Sequence, residues 1–88
     1  MTKKQADDFR KWVGHIELVP YMEDNNIEKL EDVTLERAVE EADHTKYVAS
    51  NWLDYYDIGS EEYKECMAKI RGSDKFLKKY KGVIQGGI

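Results

Sequence analysis

Residues 34–58 read TLERAVEEADHTKYVASNWLDYYDI. Leu35, Ala38, Val39, Ala42, Ala49, Trp52, Leu53 and Tyr56 fall on one helical stripe, because residues three and four apart share a helix face. Thr45 and Lys46 occupy the middle of the stripe, where apolar residues are missing. Two forms satisfy the pattern. One helix runs from about Thr34 to Ile58, or two helices meet near Asp43, with Asp43 capping the second. No Gly or Pro interrupts the run, so the continuous form is expected. Its apolar stripe then needs covering by the remainder of the chain.

The flanking segments supply the cover as further helices. Thr2 caps a first helix in which Ala6, Phe9, Trp12, Val13 and Ile16 recur at helical spacing. Asp7 and Asp8 lie early in it, where the helix dipole favours acid. Gly14 is an interior cost of about 1 kcal/mol against Ala. Pro20 disfavours helix at Val19, so this helix is expected to end near Glu17 or Leu18. PYMEDNN (20–26) opens a short second helix, since proline suits a first turn, and Asn25-Asn26 closes it. Ile27, Leu30 and Val33 add a short apolar rhythm. After residue 58, Gly59 and Ser60 stop one helix and cap the next, which places Tyr63, Cys66, Met67 and Ile70 on one face. Gly72 and Ser73 repeat the device and predict a last short helix with Phe76, Leu77 and Tyr80. Gly82 is expected to end it, leaving 83–88 as a frayed tail.

No segment reads as a strand, because HIELVPY (15–21) alternates only until Pro20. The expected fold is all-α: one domain over residues 1–82, a small bundle of four to six helices around the long central one. Trp12-Val13, Leu18, Tyr21, Ile27, Leu30 and Val33 resemble in order the opening of sterile alpha motif domains, which implies a helical binding module. That family's later leucine-aspartate run and its glycine before a last long helix are not matched here. No family is assigned on this basis.

Cys66 is the only cysteine, so no intrachain disulfide forms, and a reducing compartment, the cytoplasm, is expected. The basic N-terminus has no apolar run behind it, and no stretch is apolar enough to span a membrane. The net charge of −4 is unevenly spread: residues 1–20 carry +1, 21–60 carry −8 and 61–88 carry +3. The two ends either neutralise the middle by folding onto it or leave an acidic face for a basic partner.

The residue types for catalysis are sparse. Cys66 shares a face with Tyr63, Met67 and Ile70 and reads as an inert packing thiol. His15 and His44 lack the paired spacing of a zinc site and read as solvent-facing. Asp24, Asn26 and Glu28 imitate the start of a calcium loop, but Lys29 replaces its glycine and Leu35 its closing glutamate. IRGSDK and IQGGI lack the spacing and the strand of a phosphate loop. The expectation is therefore a non-catalytic protein with no cofactor and no metal.

Binding fits the residues better. Glu36, Glu40 and Asp43 share one side of the central helix, and Tyr47, Asp54, Tyr55 and Asp57 lie further along it. These seven form the candidate partner surface: acidic, edged by tyrosines, and suited to another protein with a basic surface. Trp52 and Tyr56, on the apolar stripe, are expected to be core or oligomer contacts, so a homo-oligomer is compatible. A second reading is an acidic inhibitor of virus or plasmid type that mimics nucleic acid in a basic groove. A third uses Lys64, Lys69, Arg71, Lys75, Lys78, Lys79 and Lys81, with Phe76 and Tyr80, to touch phosphates. The acidic chain as a whole disfavours that reading.

Overall fold

Thr2 starts the first helix as expected. Its hydroxyl accepts from the Gln5 amide while the Gln5 side chain accepts from the Thr2 amide, a reciprocal cap. In the computed structural model, which describes residues 1–86, this helix (α1) covers Lys3–Trp12. It ends earlier than its apolar spacing suggests. Gly14 takes φ +112°, a value that L side chains rarely adopt, and the chain leaves the helix there rather than near Leu18. A 3₁₀ turn over His15–Leu18 follows and runs into α2, Val19–Asp24, with Pro20 in its first turn. Ile16, placed on the apolar stripe by spacing, is consequently exposed. Asn25-Asn26 makes the expected turn, with Asn26 at positive φ. A second 3₁₀ turn, Leu30–Asp32, leads to the long central helix.

That helix (α3) covers Leu35–Leu53, capped by Thr34, and is continuous through Asp43. Tertiary contacts fill the gap in its stripe. Thr45 is buried, and the Lys46 ammonium donates to Asp74 at 2.9 Å. The helix stops five residues before the expected Ile58. Residues 54–60 form tight turns instead: the amides of Tyr55 and Tyr56 reach back three residues, and the Ser60 amide bonds the Asp57 carbonyl. Gly59, at φ +89°, holds the position in that last turn where a type II turn needs positive φ.

The last helix (α4) runs unbroken from Glu61 to Gly86. The expected stop at Gly72-Ser73 does not occur. A Cβ at Gly72 would lie 1.7 Å from the Trp12 carbonyl oxygen, so this glycine lets the end of α1 press against α4. Ser73 is wholly buried beside it and caps nothing. The helix also passes Gly82, where it was expected to end. Residues 87 and 88 of the expected tail lie outside the described residues.

The architecture is thus an all-α bundle with no strand among the described residues. α3 and α4 form a long antiparallel hairpin. α1, α2 and the 3₁₀ turns pack on one end of it, where the core lies. Phe9 meets Phe76 edge-on at 5.3 Å, Phe76 meets Tyr80 at 4.8 Å, and Leu18, Leu30, Val33, Ala38 and Ala42 close around them. The radius of gyration, 13.5 Å, exceeds the roughly 12 Å of a compact chain this long. The cause is the other end of the hairpin, which extends beyond the core. From Ser50 to Gly72 no residue is buried.

Candidate functional site

The protruding hairpin end carries three of the six large apolar residues that the fold leaves exposed among the described residues. Trp52 is 52% exposed, Tyr55 78% and Ile58 88%. Trp52 was expected as a core or oligomer contact, and it lies outside the core. α3 outruns α1 and the 3₁₀ turns, so at Trp52 only α4 lies alongside. The ring instead stacks on Tyr56 at 6.3 Å and leans on Tyr55 at 5.5 Å, a small aromatic cluster held by neighbours in sequence. Because α3 has ended at Leu53, the turn swings Tyr55 and Ile58 outward beside it.

Below this cluster, α3 and α4 splay around a groove of about 350 Å³. Val48, Ala49 and Trp52 form one wall, Glu62, Glu65 and Cys66 the other, and Tyr56 stands at the mouth. The inner end carries Glu17, whose carboxylate accepts from Lys69 at 3.1 Å, and His44. Thr45 also lines it, and its buried hydroxyl makes no hydrogen bond. Cys66, expected on a packed face with Tyr63, Met67 and Ile70, is half-buried, as they are, and Cys66 itself lines the groove.

The acidic candidates divide into two groups. In the first half of α3, Glu40 pairs with Arg37 at 3.2 Å and Asp43 with Lys81 at 3.3 Å, while Glu36 is exposed and unpaired among the described residues. Arg37 also holds the buried Glu41 at 2.9 Å and lies over the Tyr21 ring. Here the basic C-terminal helix folds back onto the acidic middle and neutralises part of it. At the hairpin end the reverse holds. Asp54, Asp57, Glu61, Glu62 and Glu65 make no ion pair among the described residues, and Lys64 is the one base between residues 51 and 66. Tyr47 is exposed but is not part of the groove lining. Of the seven candidates, the fold groups Asp54, Tyr55 and Asp57 with Trp52 and Ile58. Glu36, Glu40 and Asp43 lie toward the other end of α3.

The most strongly perturbed ionisable group lies elsewhere. Asp8 is buried against α4, where its carboxylate accepts from Lys79 at 2.8 Å and from the Tyr80 hydroxyl at 2.5 Å, with Lys4 at 3.2 Å. Burial alone would raise its pKa; the three donors more than offset that and hold it well below the usual range. Burial and the bond to Asp8 push the Tyr80 phenol up. This cluster ties α1 to α4 and does not line the groove between α3 and α4. The sequence gives Asp8 only a dipole role, since its α4 partners, Lys79 and Tyr80, lie more than seventy residues away.

Among the described residues, no group of three His, Cys, Asp or Glu side chains could hold a metal ion, and no helix is long and apolar enough to cross a membrane. No family model, curated protein or solved structure matches the chain.

Proposed function

We propose that this protein is a non-catalytic binding or regulatory module that docks another protein through the free end of its α3–α4 hairpin. The observation that carries the reading is the run from Ser50 to Gly72, which includes Trp52, Tyr55, Tyr56, Ile58 and Tyr63 yet buries no residue. A small domain has little apolar surface to spare from its core. Exposed aromatic clusters of this kind are typical interface anchors, and tryptophan and tyrosine dominate binding hot spots. A free thiol at half-buried Cys66 fits a reducing compartment, and we place the protein in the cytoplasm.

The nucleic-acid-mimic reading needs a face of unpaired carboxylates. Arg37 and Lys81 already engage two of the three acids in the first half of α3, which lowers the charge that face offers. The docking reading is tested by affinity capture from the native host with three proteins: the native chain, Trp52→Ala/Tyr55→Ala, and Glu36→Gln/Glu40→Gln/Asp43→Asn. The double variant is expected to lose the partner and the triple variant to keep it. The opposite pattern, with binding abolished by moderate salt, would favour the mimic.

A further inference from the structure

The groove beside the aromatic cluster has a definite chemistry. Beyond His44 and Thr45 at its inner end, its α3 wall is apolar, with Val48, Ala49 and Trp52; its α4 rim carries Glu62 and Glu65, which make no ion pair among the described residues, while Lys69 is paired with Glu17. Five carboxylates and one lysine lie between residues 51 and 66, a local charge of −4. Two features then constrain the occupant. The lining requires something that inserts apolar side chains, because water gains nothing against an aliphatic and aromatic wall. The rim requires positive charge close to those side chains. A second copy of the chain docked by the same face could supply apolar side chains but fails the second need, because a two-fold contact would set one −4 surface against another.

We infer that the groove binds a basic amphipathic segment of a partner protein. Its apolar side chains fill the space between Val48, Trp52 and Tyr56, and its lysines or arginines meet Glu62 and Glu65. The inference rests on the docking reading above and names the partner's chemistry. A helix with its apolar stripe flanked by basic residues meets both needs, in the manner of helix-in-groove recognition. A volume of 350 Å³ is at the lower end of binding pockets, so it accepts a few side chains of such a segment rather than its whole face.

The test is an amide-resolved NMR titration of the full chain with two synthetic peptides: a helical Leu/Lys amphipathic peptide, and the same peptide with Glu at every Lys. The basic peptide is expected to shift amides of residues 48–56 and 62–69 saturably, and the acidic peptide to shift none. Glu62→Gln/Glu65→Gln, at exposed positions and checked for unchanged helicity, should weaken the basic peptide by roughly three- to tenfold, the size of two exposed ion pairs. Glu36→Gln/Glu40→Gln/Asp43→Asn should leave it within about twofold. The inference is overturned if the shifts spread over the first half of α3, if Glu62→Gln/Glu65→Gln has no effect, or if sedimentation shows the tip buried in a dimer. A partner lost on Trp52→Ala/Tyr55→Ala, with tip amides unmoved by the basic peptide, would leave docking intact and remove the basic occupant. A partner retained by Trp52→Ala/Tyr55→Ala would remove the docking reading itself.

Discussion

Asp8 shows how much one residue holds. Its carboxylate is buried and takes three donors from two helices. Asp8→Ala strands the Tyr80 hydroxyl in the core and releases Lys79. The expected cost is about 2–3 kcal/mol, the range for hydrogen bonds to a charged group. For a domain of this size that lowers Tm by roughly 10–20 °C, measurable by circular dichroism. The pH dependence has a definite sign. The folded pKa lies below the ordinary aspartate value of 3.8, so the stabilisation is full above that value and is lost as pH falls below it. Asp8→Asn should flatten this acid limb of the stability curve, and a native chain equally stable at pH 2 and pH 6 would contradict the assignment.

At the scale of elements, the glycines of α4 separate two roles that look alike in sequence. Gly72→Ala would drive a methyl group into the backbone of Trp12. The helix ends must move apart, and the expected loss is about 2–3 kcal/mol. At Gly82 a Cβ meets nothing within 4 Å. Gly82→Ala should therefore stabilise the protein by about 0.5–1 kcal/mol, because the unfolded chain loses freedom while the helix keeps its geometry. Thermal melts of the two variants should move in opposite directions; movement in the same direction would mean that α1 does not close on α4 at Gly72.

For the whole molecule, the uneven core makes a further prediction. Phe76→Ala empties the centre of the packed end and should cost about 3–5 kcal/mol. Trp52→Ala removes a larger ring from the free end and should nevertheless cost less, about 1–2 kcal/mol, since about half of its surface stays in water. Comparable losses for both would show that the hairpin end is packed in solution, and would argue against a docking role. Charge follows the same division. The basic half of α4 offsets acid in the first half of α3 through Lys81–Asp43, while α3 in turn supplies a base to α4 in Lys46–Asp74. The acids from Asp54 to Glu65 receive no such cover among the described residues.

The linear order of residues determined the helices and much of their composition. Stripes at helical spacing, Thr2, Thr34 and Asn25-Asn26 marked where α1, α2 and α3 lie, because caps and periodicity are local physics. Local rules also erred in both directions. They passed through Gly14, where positive φ ends α1, and stopped at Gly72, where the chain continues. A glycine's role depends on what approaches it, and at Gly72 that is the Trp12 carbonyl, sixty residues away. Tyr55, Asp54 and Asp57 could be read as an outer face from spacing. That Trp52 joins them, and that Glu40 and Asp43 are spent on internal pairs, could not. Only the tertiary structure decided where the core ends along the α3–α4 hairpin, because burial is set by which segments are long enough to cover one another.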